Sequence, residues 1–286
     1  MEGRSWIALG DPVGPPAEAE RLAWRFLETA DQHDGWAVFY QVRRENLPLY
    51  LDLGLTLLKL GEEALVPLAG FSLRGQHRGA MRNVMRRFER DGITFEIVPP
   101  EQIPPLMPRL REVSDAWLRH KRTREKGFSL GFFDEAYLAR LPVAVVRRGD
   151  VLLAFANVLP GADREELSID LMRHVEDAPG GVIDYLFIRV MQWGQQEEYR
   201  VFNLGMAPLS GLPDRALAPL WSRAGAFVFR HGEHFYNFQG LRHYKEKFDP
   251  VWQPRYLASP GGLALPRVVA NLATLISRGW KGVVSR

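Results

Sequence analysis

The sequence predicts a mixed α/β fold, and three observations support this. Segments with apolar residues at alternate positions, typical of strands, occur among segments with apolar residues three and four positions apart, typical of helices. The hydrophobic fraction of 46% and the charged fraction of 25% are ordinary for a globular protein with its own core. A length of 286 residues accommodates one large domain or two smaller ones.

The first third of the chain is predicted to combine strands with a helix. Residues 36–42 are rich in aromatic and β-branched side chains, and apolar residues alternate in 47–53, so both segments are predicted to be strands. Residues 77–91 show helical spacing of apolar side chains, and Gly92 follows as a C-cap.

Two Pro-Pro pairs between residues 99 and 105 predict a break, after which a second helix is expected at 108–126. Its basic residues crowd the C-terminal end, where cations also interact favourably with the helix dipole. We place the domain boundary at this helix. The predicted division is 1–104, a basic linking helix at 105–127, and 128–286.

The second half alternates between predicted strands and helices. Strands are predicted at 143–147, 151–158, 166–173, 201–205 and around 255–257. Helices are predicted after Gly181, at 215–230, within 231–248 and near the C-terminus. The last helix has an apolar stripe that is expected to pack on the domain body. Its basic residues Arg267, Arg278 and Lys281 leave an anionic membrane surface as an alternative partner.

Composition excludes several kinds of site. Without cysteine the chain has no disulfide, no thiolate zinc site and no cysteine nucleophile. The seven histidines lack HExxH-type spacing, so no metal is expected. No signal-peptide pattern follows Met1, and the longest apolar region, 47–60, is interrupted by Asp52 and Lys59. The chain by itself is therefore expected to be soluble.

Basic residues are concentrated in two blocks on a chain whose formal net charge is only +3. In the helix predicted at 77–91, arginines recur every fourth residue and are expected to form a basic ridge. The proposed contacts are Arg74, Arg78, Arg82, Arg86, Lys121, Arg122 and Arg124. Such blocks indicate either a site for polyanions, RNA or anionic lipid, or simply solvated helix faces.

Seven short phrases carry a family resemblance. They are FSLRGQHR at 71–78, VSDAWL at 113–118, REKGFSLG at 124–131, SIDLMR at 168–173, FNLGMAPL at 202–209, FYNFQGLR at 235–242 and YKEKFDP at 244–250. Together and in this order they resemble the C-terminal domain of the multiple peptide resistance factor family, the lysyl- and alanyl-phosphatidylglycerol synthases. The resemblance runs from about residue 5 to the C-terminus.

The resemblance implies two tandem acyltransferase domains of the GNAT type, with the reaction centre mainly in the second. It implies transfer of an aminoacyl group from aminoacyl-tRNA to the glycerol hydroxyl of phosphatidylglycerol, without a covalent enzyme intermediate. Family members usually carry this domain after a membrane-embedded part, so the resemblance implies a fragment that acts at the cytoplasmic face of the bacterial inner membrane, with a standalone version as the alternative.

Coenzyme A is not expected as the donor. Acetyltransferases of this fold hold its pyrophosphate on a Gln/Arg-x-x-Gly-x-Gly/Ala turn that opens a helix, and residues 177–181 read DAPGG instead. The motif YKxKFxP at 244–250 is also similar to a phrase of peptidoglycan-bridge aminoacyltransferases. That enzyme class, with an amine acceptor, and a non-catalytic module that binds tRNA or anionic lipid are the alternatives.

Asp170, Arg173 and Glu233 are the candidate catalytic residues. An isolated aspartate in an apolar strand needs compensation by pairing or hydrogen bonds. We expect Asp170 either to hold the α-ammonium of the donor or to help deprotonate the lipid hydroxyl, while a structural ion pair is the alternative. Strict alternation puts Arg173 on the opposite face, so cooperation of the two residues requires a bulge or a strand end.

A second set of polar residues is predicted to bind substrate. It comprises Asn203, Tyr236, Asn237, Arg242, Lys245 and Lys247. Aromatic faces in 235–238 can stack on the terminal adenine of tRNA, and the lysines can bind phosphate. The alternatives are an aromatic core and solvated surface lysines.

Overall fold

The computed structural model describes residues 3–121, 123–212 and 238–279, and within them it confirms a mixed α/β fold. The strands are β1 (Ser5–Leu9), β2 (Trp36–Arg43), β3 (Thr56–Pro67), β4 (Ile93–Val98), β5 (Val143–Arg148), β6 (Val151–Pro160), β7 (Glu166–His174), β8 (Val201–Pro208) and β9 (Val251–Ser259). The helices are α1 (Pro16–Asp31), α2 (Leu47–Asp52), α3 (Gly79–Arg90), α4 (Met107–Lys121), α5 (Glu135–Leu138), α6 (Val182–Gln196), α7 (Phe238–Glu246) and α8 (Leu265–Ile276).

The chain forms two compact units, and each draws on separated stretches of sequence. The central unit contains the described residues of 65–126 and 130–204. The terminal unit contains those of 1–64, 127–129 and 205–279. The residue ranges of these units differ from the consecutive segments predicted above. The tandem-domain division stays a prediction.

The sheet of the central unit runs in the order β8-β7-β6-β5-β4. Its pairs are antiparallel except for β7 and β8, whose parallel pairing covers Glu166–Ser168. On one face α4 and α5 contribute to a core that includes Leu110, Leu138 and Phe155. On the other face α6 approaches closely, because Gly194 has no side chain to collide with Leu167.

The terminal unit has a sheet in which β1 is parallel to β2 and β2 is antiparallel to β9. Alternate residues of β2 reach two cores, one containing Phe39 and one containing Tyr40. From α8, Val268 and Leu272 are buried in the second core. The apolar stripe of the last helix therefore packs on its own unit, as predicted.

One strand prediction is wrong. Residues 47–52 form the helix α2 instead of a strand. Proline at its first turn has no N–H that the helix would need, and its fixed φ suits a helix start. Tyr50 is fully buried and donates a hydrogen bond to Asp11 at 2.8 Å, so apolar residues at alternate positions here reflect burial of a short helix.

The other predictions of elements agree to within a few residues. The strands at 36–42, 143–147, 151–158, 166–173, 201–205 and 255–257 and the helix after Gly181 are confirmed. The second helix ends at Lys121 instead of residue 126. The helix predicted at 215–230 lies outside the described residues, as does Lys281. In the part of the chain that the structure describes, no helix has the length and apolar content that crossing a bilayer requires.

Candidate active site

A β-bulge in β7 sets the position of Asp170. Ala156 of β6 pairs with Met172, and Val158 pairs with Ile169, so β7 has one more residue than β6 in this interval. The extra residue interrupts the alternation of side chains between the two faces of the sheet. Asp170 and Arg173 therefore reach the same face, the one covered by α4 and α5, and the bulge that their cooperation requires is present.

The carboxylate of Asp170 is half-buried and held by two donors. The hydroxyl of Tyr137 in α5 donates to Oδ2 of Asp170 at 3.1 Å, and the backbone N–H of Gly131 also bonds the carboxylate. Burial raises the pKa of Asp170 above its ordinary value, against the opposing effects of Tyr137, Gly131 and the charge of Arg173. A carboxylate of this kind takes up a proton closer to neutral pH than an exposed one.

Arg173 is buried beside Asp170 and paired with Glu125. Its guanidinium donates to Oε2 of Glu125 at 2.9 Å and lies 4.2 Å from the ring centre of Trp117 in α4. Burial lowers the pKa of Arg173, and the charges of Glu125 and Asp170 oppose that shift. Among the described residues, its buried Nε has no hydrogen-bond acceptor.

Tyr137 is fixed by the start of its own short helix. Asp134 is the N-cap of α5, and its side chain accepts the backbone N–H of Tyr137 at 2.8 Å. Burial raises the pKa of Tyr137 to about 12, with a further contribution from the Asp170 charge, while Asn157 acts in the opposite direction. The phenol therefore stays protonated near neutral pH and is a hydrogen-bond donor to Asp170.

Asn203 lies on the neighbouring strand β8, opposite Ser168. It is buried, and its amide donates to Oε1 of Glu166 at 2.8 Å. Asn203 is thus positioned by the two-strand parallel pairing that ends two residues before Asp170.

The candidates on α7 lie in the terminal unit and have internal partners. Arg242 pairs with Glu62 at 2.6 Å and stacks over Trp252 at 4.1 Å. Lys247 lies 3.7 Å from the ring centre of Tyr244. The structure therefore places Arg242 and Lys247 against neighbouring side chains of α7 and of the strands beside it.

Lys245 is a buried ammonium and not a solvated surface lysine. It donates to the carbonyl oxygens of Gly205 and Met206, each at 2.9 Å. Burial lowers its pKa to about 8. Within the described ranges, the hydrogen-bond partners of this charged ammonium are backbone carbonyls, so an anionic ligand would stabilise it.

The arginine ridge predicted on the helix at 77–91 is only partly present. Arg74 and Arg86 are exposed, but Arg78 is buried over Phe71, with 5.5 Å between the guanidinium and the ring centre. Arg82 donates to the carbonyls of residues 73 and 75 at 2.6 and 2.5 Å. Two of the four arginines therefore contact the fold itself: Arg82 bonds loop carbonyls before α3, and Arg78 packs on Phe71.

Arg74 and Arg82 line a surface cavity of about 610 Å³ in the central unit, together with Gln192 and Gln195. Lys121 and Arg124 are exposed near the end of α4. These residues are accessible to a polyanion.

The loop before α6 lies against side chains of α3. Gly181 is the N-cap with φ of +88°, and a Cβ there would lie 3.1 Å from Val84 of α3. The Arg87 side chain donates to the carbonyl of Gly180. Side chains of α3 thus already contact this turn. Within the described ranges, histidines and carboxylates form no cluster of three or more that suits a metal ion.

Four of the predicted site residues, Arg122, Glu233, Tyr236 and Asn237, lie outside the described residues.

Five residues around Asp170 and Arg173 were missed by the sequence analysis as site residues. They are Trp117, Glu125, Gly131, Tyr137 and Asn157. Three of them lie within the phrases 113–118 and 124–131, which was a usable signal. Tyr137 and Asn157 gave none, because only the folded sheet brings α5 and β6 to the bulge of β7.

Fold and site together define an α/β protein with a desolvated carboxylate, a phenol donor and a paired arginine at a strand bulge, an arrangement suited to group transfer with proton movement. Residues 1–259 match the family described as "Phosphatidylglycerol lysyltransferase, C-terminal". The chain belongs to this family, and the resemblance found in the sequence is confirmed.

Individual relatives agree with this assignment. A phosphatidylglycerol lysyltransferase of Bacillus subtilis is 40% identical over 283 residues, which are 98% of this chain and 33% of that protein. The chain thus spans about a third of the length of this relative. The C-terminal domain of a putative lysylphosphatidylglycerol synthetase from Agrobacterium fabrum is 44% identical, with a TM-score of 0.86 over 99% of this chain and 86% of that one. L-PGS from Bacillus licheniformis is 41% identical, with a TM-score of 0.83 over 96% and 84% of the respective chains.

Proposed function

We propose that this chain is an aminoacyl-transfer domain, which moves an aminoacyl group from aminoacyl-tRNA to a glycerol hydroxyl of phosphatidylglycerol. The single observation that carries the proposal is the half-buried carboxylate of Asp170, held by Tyr137 and beside Arg173. The names of the relatives, phosphatidylglycerol lysyltransferases, supply the lipid and make lysine the first amino acid to test.

The reaction exchanges one ester for another. The lipid hydroxyl oxygen forms a bond to the aminoacyl carbonyl carbon, the bond from that carbon to the tRNA ribose oxygen breaks, and the hydroxyl proton ends on the ribose oxygen. Such a reaction needs positioning and proton management and no oxidant or reductant. No covalent enzyme intermediate is part of the proposal.

The carboxylate of Asp170 is the proposed acceptor of the hydroxyl proton or, alternatively, the group that holds the donor's α-ammonium. Both roles need a carboxylate at a fixed place. Tyr137 and Gly131 supply this fixation by donating to it, and the raised pKa brings its proton affinity closer to that of a working base near neutral pH.

Arg173 is proposed to face the developing negative charge on the carbonyl oxygen. The charge pair with Glu125 and the contact with Trp117 hold its guanidinium in place for this role. Asn203, Glu233, Tyr236 and Asn237 remain proposed substrate contacts.

Lys245 is the proposed phosphate contact of the terminal unit, since its ammonium is desolvated and bonded only to backbone carbonyls in the described part of the chain. Arg242 and Lys247 are proposed to support it. Arg74, Arg86, Lys121 and Arg124 are proposed contacts for the tRNA backbone or the anionic bilayer.

We further propose that the donor is not coenzyme A. The contacts of Val84 and Arg87 with the turn at 180–181 support this, because they are at the place where the pyrophosphate of an acetyltransferase donor would bind. The acting protein is proposed to work at the cytoplasmic face of the bacterial membrane with a membrane-embedded part.

The test is a transfer assay with the chain as it is. Tritiated lysyl-tRNA and alanyl-tRNA are each incubated with the protein and with vesicles of phosphatidylglycerol and phosphatidylcholine, and the extracted lipids are analysed by mass. The proposal predicts aminoacyl-phosphatidylglycerol only when tRNA and phosphatidylglycerol are both present. A parallel incubation contains a peptidoglycan precursor in place of the vesicles. Label in that precursor, or binding of tRNA and vesicles without any transfer, would contradict the proposal.

A further inference from the structure

Asn157 is a polar side chain in the middle of an apolar strand. It lies in β6, has no exposed surface, and has Ala156 and Val158, both fully buried, on either side. An amide in such a place costs free energy unless it forms hydrogen bonds that the fold needs. The hydrogen bonds of Asn157 should therefore explain why a polar residue occupies this position.

One arm of this amide holds the bulge of β7. Residues 156 and 158 of β6 pair with residues 172 and 169, so Asn157 faces the two bulge residues, Asp170 and Leu171. A bulge disrupts the ladder between strands and leaves a backbone group unpaired. The Oδ1 of Asn157 accepts the N–H of Leu171 at 2.6 Å and replaces the missing ladder bond.

This bond also fixes which arm of the amide is the donor. With Oδ1 on Leu171, the Nδ2 group must be the other arm, and among the described residues it has no acceptor at full hydrogen-bonding geometry. Tyr137 and Asn157 both border Asp170, since the Tyr137 hydroxyl bonds its carboxylate and Asn157 lies opposite it in the neighbouring strand, and Asn157 also lowers the pKa of the phenol. A phenol oxygen that faces the N–H bonds of an amide must point its own O–H elsewhere, and Asp170 is the acceptor at 3.1 Å.

We propose that Asn157 is a positioning residue for Asp170, which holds the β7 bulge through Leu171 and directs the hydroxyl proton of Tyr137 to the Asp170 carboxylate. This rests on the proposed function only for its effect on transfer. Its effect on the acidity of Asp170 stands apart from it.

The groups that face Asp170 from each surrounding element define what a change at Asn157 does. They are Tyr137 from α5, Arg173 from β7 itself, and the N–H of Gly131, while Glu125 partly neutralises Arg173. Tyr137, Gly131 and Arg173 all favour the charged carboxylate. If the tyrosine proton turns away, one of these three is lost and the pKa of Asp170 rises.

The experiment measures the pKa of Asp170 directly. Carboxyl carbons of aspartate are labelled with ¹³C, the Asp170 signal is assigned by its absence in Asp170→Asn, and pH titrations are followed by NMR for the wild type, Asn157→Leu, Tyr137→Phe and the double variant. Asn271→Leu is the matched control, because Asn271 is a buried amide of the terminal unit that donates to Ser5.

The proposed positioning role predicts that Asn157→Leu raises the pKa of Asp170 by about one unit, which is a tenfold change in proton affinity. It predicts that the double variant has the same value as Tyr137→Phe alone, and that Asn271→Leu leaves the pKa unchanged. An unchanged pKa in Asn157→Leu would overturn the proposal. An equal rise with and without the tyrosine hydroxyl would overturn the route through Tyr137.

If Asn157→Leu does not fold, a second variant tests the same proposal. Asn157→Asp keeps an oxygen for the Leu171 N–H and removes the donor N–H group, but its own carboxylate also raises the pKa of Asp170 by repulsion. It is therefore titrated with and without Tyr137→Phe, and the rise should be larger when the tyrosine hydroxyl is present. An equal rise in both backgrounds, or no rise, would again overturn the proposal. In the transfer assay the acid limb of the rate profile moves to higher pH in parallel. If the wild type transfers nothing while the NMR shifts occur as stated, the proposed function fails and the positioning role stands.

Discussion

The hydroxyl oxygen of Tyr137 lies 3.1 Å from Oδ2 of Asp170, although 33 positions separate the two residues in the sequence. The contact joins a short helix capped by Asp134 to a bulged strand. It gives the carboxylate a fixed direction in a half-buried environment.

Gly131→Ala is expected to displace the carboxylate. A Cβ at this position would lie 2.6 Å from the carboxyl carbon and from Oδ2 of Asp170, which is too close for any stable contact. Displacement of a reacting group by about 1 Å reduces catalysis by roughly 100-fold. We therefore expect a drop of about 10- to 100-fold in the transfer rate, measured as lipid product per minute.

Gly70→Ala is the control for this substitution, because nothing lies within 4 Å of its Cβ position and its φ is not positive. It should keep the wild-type rate. Equal rates for Gly131→Ala and the wild type would show that the placement of Asp170 does not matter.

Glu125→Gln is expected to destabilise the fold. It leaves the Arg173 charge buried without its carboxylate partner, which is worth about 1–3 kcal/mol of unfolding free energy. Urea denaturation of both proteins measures the difference. Glu135→Gln, which breaks the exposed pair with Arg111, should leave the urea midpoint unchanged. A similar small effect for both changes would mean that Arg173 is well solvated.

Lys245 is expected to make stability depend on pH in the alkaline range. Its pKa of about 8 in the folded state is below the ordinary value near 10.5, so between these pH values the unfolded chain binds the extra proton. Stability therefore rises with pH across this window, by up to about 3 kcal/mol from this group. Below pH 8 the buried charge weighs against folding.

Lys245→Met removes this contribution. The unfolding free energy of the wild type minus that of the variant should increase between pH 8 and 10, with both measured in urea at constant ionic strength. A difference that stays flat over this range would mean that Lys245 keeps an ordinary pKa.

Arg74 and Arg86 are expected to act on polyanion binding, because both are exposed. If each neutralises one phosphate, Arg74→Ala and Arg86→Ala each lower the salt dependence of tRNA affinity by roughly one unit of slope. Fluorescence anisotropy at several KCl concentrations measures this. Arg82→Ala should instead reduce stability, since Arg82 donates to two loop carbonyls. Unchanged slopes in the first two variants would place the polyanion elsewhere.

Sequence patterns were sufficient for elements whose local signals agree with their tertiary setting. The turn between β5 and β6 has a local sequence signal that the structure confirms. The apolar residues of α3 and α8 have helical spacing, and the same residues are buried. At 47–53 the alternating pattern indicated a strand, but a proline at the first turn and the burial of Tyr50 favour a helix. There, tertiary packing outweighed the pattern.

The candidate site was predictable only where a residue was unusual in its own element. Asp170 was recognised because a carboxylate within an apolar strand needs compensation, and the need for a bulge followed from alternation. The spacing of Arg78 and Arg82 predicts a surface ridge, because an arginine at every fourth position carries no information about the Phe71 ring or the loop carbonyls that these side chains contact. The partners Tyr137 and Asn157 depend on strand register and helix placement, which no local pattern encodes.

The central claim is that the carboxylate of Asp170 performs the transfer chemistry. Its most direct test is the rate of aminoacyl-phosphatidylglycerol formation by Asp170→Asn, with Glu135→Gln on the neighbouring helix as a control and circular dichroism to verify folding. We predict a loss of roughly 100- to 10,000-fold for Asp170→Asn and a wild-type rate for the control. A folded Asp170→Asn protein that forms the lipid product at the wild-type rate would contradict the account.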